Sequence, residues 1–204
     1  HIGKGGVTTV YQDANGMIWR GGLQGVDIFD LKNRTTRHIG RAQGLAHDSI
    51  QTITGFNHKV FLCTNNGVNI VDLDSKTISQ LDRNHGLVSR TIVSVTIDKA
   101  GRIWLGGDSG VDVYDPAAKT VKHLGHEEGL SDEHFIDDIK IDTEGSIWLS
   151  NREAGVDKID AGLQYLWHLE LDGGLKALMP DEKDNMWIGT SRGLQVVESK
   201  NNRL

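Results

Sequence analysis

Short runs of β-branched and aromatic residues, cut by turn formers, fill the chain from end to end. Between positions 92 and 124 they read Ile92–Ile97, Arg102–Gly106, Val111–Tyr114 and Thr120–Leu124, separated by Asp98-Lys99-Ala100-Gly101, Asp108-Ser109-Gly110 and Asp115-Pro116-Ala117-Ala118. No segment sustains an apolar stripe at helical spacing, so the pattern predicts strands throughout. The same pattern then recurs. Asp13 to Trp19, Asp98 to Trp104, Asp142 to Trp148 and Asp181 to Trp187 each keep a six-residue step from Asp to Trp, and a degenerate copy places Phe61 where the others have Trp. The aromatic landmarks lie 42, 43, 44 and 39 residues apart. Two further markers keep the beat: Gly25-Val26, Gly67-Val68, Gly110-Val111, Gly155-Val156 and Gly193-Leu194, and Gly44-Leu45, Gly86-Leu87, Gly129-Leu130 and Gly174-Leu175.

Four strands in roughly 40–45 residues is the arithmetic of a propeller blade. The expected fold is therefore all-β, a β-propeller of four-stranded blades with about five repeats near 4–40, 41–82, 83–125, 126–170 and 171–204 in a single domain. One large aromatic per repeat fills the wedge between neighbouring sheets, worth roughly 1.5–3 kcal/mol of apolar burial each. His1-Ile2-Gly3 aligns with His38-Ile39-Gly40, so two arrangements fit: a five-bladed ring closed by the N-terminus, or an arc of a larger propeller in a longer protein.

The repeat resembles the two-component regulator propeller repeat. Gly129-Leu130-Ser131-Asp132, Asp142-Thr143-Glu144-Gly145, Ile147-Trp148-Leu149 and Gly155-Val156-Asp157 carry the resemblance, as do Ile103-Trp104-Leu105-Gly106 and Val113-Tyr114-Asp115-Pro116. It extends over about residues 1 to 199, with Arg20, Phe61 and Cys63 departing from the pattern. The resemblance implies a periplasmic sensor region of a hybrid histidine kinase or diguanylate cyclase, in propellers of more than five blades, many of them sensors of polysaccharide breakdown products. It implies an extracytoplasmic, non-enzymatic input segment whose kinase or cyclase lies outside it.

Composition narrows the partners. The 25 glycines among 204 residues are mostly repeat punctuation. A formal charge of −6 without a basic stretch argues against nucleic acid, and no apolar run is long enough for direct membrane insertion. One cysteine, Cys63, excludes an internal disulfide. No cofactor motif, zinc spacing or calcium loop is present, and His38, His123 and His168 fall at symmetry-related positions that spread apart instead of converging on a metal.

Propellers bind ligands where loops converge on the channel mouth. The loop after Gly174 is nearly deleted, which notches the rim, and the richest off-consensus cluster flanks it: Asp132, Glu133, His134, Phe135 and Asp137, with Asn151, Arg152 and Glu153. With Arg90 and Arg192 from other rim loops, these are the candidate ligand residues for a small molecule or oligosaccharide; an ordinary solvated loop is the competing account. Asp137 and Asp138 are adjacent strand residues on opposite faces and do not share a proton site. A propeller lyase would use His134 with Glu133 or Arg152. A protein-binding scaffold, or a homodimer, would use Tyr165 and Trp167, since aligned copies of Trp167 are Arg37, Ser79 and Lys122.

Overall fold

The computed structural model describes residues 6–131, 135–151, 155–160, 162–171, 174–183 and 185–198; for Tyr165 and Leu166 only the backbone is described. The strands are β1 (Val7–Gln12), β2 (Ile18–Gly22), β3 (Gly25–Asp30), β4 (Thr35–Ile39), β5 (Ile50–Phe56), β6 (Lys59–Thr64), β7 (Gly67–Asp72), β8 (Ile78–Leu81), β9 (Ile92–Ile97), β10 (Ile103–Gly107), β11 (Gly110–Asp115), β12 (Thr120–Leu124), β13 (Ile136–Ile141), β14 (Ile147–Asn151), β15 (Gly155–Ile159), β16 (Tyr165–Leu169), β17 (Leu175–Pro180), β18 (Asn185–Thr190) and β19 (Gly193–Glu198). They form five antiparallel meanders, each sheet ordered as the sequence runs; four have four strands and the last, β17-β18-β19, has three among the described residues. The four strands expected between positions 92 and 124 are found to within a residue or two. The chain divides into two compact units, His1–Val95 and Thr96–Leu204.

The six-residue Asp-to-Trp step has a direct cause. One carboxylate oxygen of Asp13 accepts the main-chain N–H groups of Asn15 and Met17 and so closes the β1–β2 turn, while the other accepts the Trp19 indole N–H at 2.7 Å. The corresponding indole bonds are 3.0 Å for Trp104 to Asp98, 2.9 Å for Trp148 to Asp142 and 2.9 Å for Trp187 to Asp181. A single acid thus shapes the turn and satisfies the polar atom of an otherwise apolar wedge residue.

Three of the wedges face the next sheet. In the first unit Trp19 belongs to one core with Ile50, Ile53, Val60 and Leu62 of the following sheet. In the second unit Trp104 packs with Ile136, Ile139 and Leu149, and Trp148 with Leu175, Leu178, Met186 and Ile188. Close approach explains the glycine two residues after Trp. A Cβ on Gly21 would collide with Ile50, and one on Gly106 would press on Ile136 and Ile139. Trp187, in the last described sheet, is only half-buried.

The second sheet solves the same problem differently. Gly55 stands where the acid would be and Phe61 where the Trp would be; the β5–β6 connection is a two-residue turn with Asn57 and His58 both at positive φ, 47° and 58°. That conformation matches the twist of a tight hairpin. The Tyr11 ring of the preceding sheet lies over Gly55, where any Cβ would overlap it. Cys63 is fully buried, and burial drives its thiol far above the ordinary range, so it is no nucleophile.

Candidate functional site

The rim is built from the loops that lead from one sheet into the next. Three of them begin with one 3-10 turn, Arg41–Gln43, Arg83–His85 or His126–Glu128, closed by Gly44, Gly86 or Gly129 at φ of 108°, 99° and 98°. Only glycine adopts that left-handed geometry without strain. The leucine that follows, Leu45, Leu87 or Leu130, is buried as a plug. The Gly-Leu marker of the sequence is therefore a cap and an anchor.

The loop between the first and second sheets is fastened at both ends, and its two counterparts each show one of these ties. The Gly25 N–H donates to the Asp48 carbonyl at 2.6 Å, and the Gly67 N–H to the Arg90 carbonyl at 2.7 Å, tying a loop to the sheet before it. The sheet after it holds the loop through a polar side chain on its third strand. Asn69 accepts the Ala46 N–H at 3.0 Å and donates to the Gly44 carbonyl; Asp157 accepts the Ser131 hydroxyl at 2.7 Å and its N–H at 3.4 Å. Asn69 and Asp157 are fully buried, as is Asp112 at the same repeat position. Strand four supplies a histidine to each acid at this position: His38 Nδ1 lies 2.8 Å from Asp27, His123 2.9 Å from Asp112 and His168 3.0 Å from Asp157. The symmetry-related histidines thus hold structural acids. Among the described residues no three His, Cys, Asp or Glu side chains cluster as metal ligands.

Of the expected ligand residues, Phe135, Asp137 and Asn151 come together. Asn151 pairs with Ile136 at the rim end of β13 and β14, and the register slips between Ile136 and Asp138, so Asp137 is the extra residue of a β-bulge. The bulge re-aims a side chain that simple alternation would place by parity. It recurs at Thr8, Gln51 and Lys176, and Gln51 uses it to reach the Ser49 hydroxyl and the Asn65 carbonyl oxygen across the loops. Sequence reasoning missed this feature; the polar residue at the second position of four first strands, Thr8, Gln51, Asp137 and Lys176, was its only signal. Asp138 is committed elsewhere, accepting from the Lys140 ammonium at 2.7 Å and from the Leu178 N–H at 3.4 Å. Beside Asn151, the buried Ser150 hydroxyl has no hydrogen-bond partner. Arg192 is exposed on the β18–β19 turn of the same unit; Arg90 is exposed in the first unit and is not brought to this cluster by the described contacts. Asp132, Glu133, His134, Arg152 and Glu153 lie outside the described residues.

Trp167 is half-buried, edge-on to Trp148 at 5.9 Å between ring centroids. Its cross-strand partner Lys158 is 4% exposed, with its ammonium 3.7 Å from Asp142 and 5.0 Å from the Trp148 ring centre. Aligned copies of Lys158 are apolar, such as Ile28 and Val113, so the aromatic at 167 shields a buried cation, a partnership that sequence reading overlooked. The Tyr165 side chain lies outside the described residues.

No family model matches the sequence, and no curated protein matches it. Solved structures do. The extracellular domain of BT4673 from B. thetaiotaomicron, assigned as a hybrid two-component system, superposes with a TM-score of 0.83 at 21% identity over 97% of this chain. The blades are those of a β-propeller. The extracellular domain of a second such system from that organism, BT3049, gives 0.75 at 18% identity over 93% of the chain. Virginiamycin B lyase from Staphylococcus aureus gives 0.74 at 11% over 97%. This propeller segment spans 30% of the BT4673 domain, 26% of the BT3049 domain and 71% of the lyase chain. Among the described residues no helix is long and apolar enough to cross a membrane.

Proposed function

We propose that this propeller segment is part of the extracytoplasmic input domain of a two-component-type signalling protein, and that it senses a small molecule or oligosaccharide at the rim of its fourth sheet. The fold it shares with the extracellular domains of BT4673 and BT3049 supports the sensing role. The observation that carries the mechanism is the double fastening of the loop between the first and second sheets, whose counterpart before the fourth sheet is gripped by Asp157. A loop tied by main chain to one sheet and by a buried side chain to the next converts a ligand contact into a force on two sheets, with no covalent chemistry.

The reading places Phe135 as an apolar surface for a sugar ring and Asp137 and Asn151 as hydrogen-bonding groups for hydroxyls. Asp132, Glu133, His134, Arg152 and Glu153, which adjoin these residues in the sequence, belong to the same proposal. A thermal-shift screen with neutral and acidic oligosaccharides tests it. A true ligand at 100 times its dissociation constant adds about 2.7 kcal/mol of stability, and the shift disappears in Phe135→Ala and Asp137→Ala. A panel without any shift, a shift that survives both substitutions, or turnover of a saccharide refutes the reading.

A further inference from the structure

Register partners run in a row across each sheet on the side that faces the sheet before it. In the second sheet the row is Ile53, Leu62, Asn69 and Gln80; in the fourth it is Ile139, Leu149, Asp157 and His168. The inner pair is apolar and fully or nearly buried; in the second sheet the outer pair, Asn69 and Gln80, grips the incoming Gly-Leu turn through main-chain groups, and in the fourth Asp157 accepts the Ser131 N–H and hydroxyl. The second row shows what the position binds: a peptide turn that offers a carbonyl at its glycine and an N–H two residues later. Gln80 joins Asn69 in donating to the Gly44 carbonyl, at 3.1 Å.

In the first sheet the row is Val10, Arg20, Asp27 and His38. Its apolar end is bare: Val10 is 63% exposed and Val7 54%, where their counterparts Ile53, Ile50, Ile139 and Ile136 are buried. Its polar end opens on a cavity of about 30 Å³ lined by Gly6, Arg20, Gly22, Leu23, Gly25 and His38, which is room for one polar group. Arg20 replaces the fully buried leucines at 62, 105 and 149 and reaches Asp27 at 3.3 Å, so a guanidinium takes the acceptor that the fourth sheet gives to Ser131.

We infer that Asp27 and His38 form a peptide-turn receptor, and that its occupant is a Gly-Leu-Ala or Gly-Leu-Ser turn carried by another sheet of the same repeat. The acceptor is Asp27 for the turn N–H and the donor is His38, at the position of Gln80, for the turn carbonyl; Arg20 competes for the Asp27 acceptor. A second copy of this chain is a poor source, because its own Gly44 and Gly129 turns are already gripped by Asn69 and Asp157.

The test titrates the ¹⁵N-labelled protein with the decapeptide of residues 40–49, Gly-Arg-Ala-Gln-Gly-Leu-Ala-His-Asp-Ser, to about 5 mM, where millimolar contacts register. Expected are shifts at the amides of Gly22, Gly25 and Asp27 and at the Arg20 guanidinium. They persist in Asp27→Asn, since Asn69 does this work in the second sheet, and vanish in Asp27→Leu. Arg20→Leu restores the residue of the other sheets, removes the competing donor and tightens binding; a merely structural Arg20 leaves it unchanged. Absent shifts, shifts that survive Asp27→Leu, unaltered binding in Arg20→Leu, or a concentration-dependent dimer that covers Val7 and Val10 overturns the inference.

Discussion

The second sheet and its neighbours occupy the same place in the repeat with opposite chemistry. Elsewhere an acid and an indole form one unit; in the second sheet both are gone together, replaced by Gly55 and Phe61, with the Tyr11 ring over the glycine. The outer pair differs the same way, Asn69 with Gln80 instead of acid with histidine. The lesson is that these positions change as partners. A buried carboxylate left without its indole would keep its desolvation penalty and lose its compensation, and a phenyl ring needs no acceptor.

Three experiments break or sharpen that contrast. The largest effect belongs to the wedge. Trp148→Ala empties a site shared by two sheets and contacts Trp167 and Lys158 as well, so a loss of about 3–5 kcal/mol is expected by urea denaturation. Phe61→Ala falls at the lower end of that range, since no carboxylate is orphaned with it. Equal losses would show that the acid contributes nothing.

A smaller effect appears in acid. Burial alone would raise the Asp98 carboxyl, but hydrogen bonds from the Trp104 indole and the Arg102 guanidinium outweigh it and hold the group below its usual value. Asn185 and the Trp187 indole likewise hold Asp181 down. A carboxyl lowered in the folded state stabilises fully above its unfolded pKa, about 3.9, and that stability is lost as pH falls through the folded value. Asp98→Asn should therefore lower the melting temperature at pH 7 and flatten its decline below about pH 4. An acid limb as steep as the parent's would remove Asp98 from the account. In the second sheet Gly55 contributes nothing at this position, and the Lys59 ammonium instead holds Asp72 low.

The smallest effect tests interchangeability. Asn69→Asp alone forfeits the bond to the Gly44 carbonyl and should cost about 1 kcal/mol. Adding Gln80→His rebuilds the pair found in the first, third and fourth sheets and should recover most of it in a double-mutant cycle. Additive losses would mean that the two pairs are not equivalent.

Much of this architecture was legible in the residues. Alternation and turn chemistry placed the four strands between positions 92 and 124, because a β-meander is local and each turn carries its own signal, such as an Asp acceptor or a positive-φ glycine. The six-residue Asp-to-Trp step was visible as a pattern, although its cause, one acid serving a turn and an indole, needed coordinates. The rim was less legible. Asp137 sits on a bulge that parity cannot reveal, Lys158 looks like a solvated strand lysine until Trp167 closes over it, and the grip of Asp157 on Ser131 joins residues 26 apart in sequence. Such contacts depend on how one sheet meets the next, which no window along the chain contains.

The direction of the wedge has a consequence for how such chains grow. At the joints before the second and fourth sheets the earlier sheet gives an aromatic plug and a Gly-Leu turn forward, and the later one offers an apolar pair with a polar grip backward. A duplicated stretch of 42 to 44 residues, cut at any phase, copies one joint complete. The heritable module is thus the seam and not the sheet, and lengthening by tandem duplication demands no new packing solution.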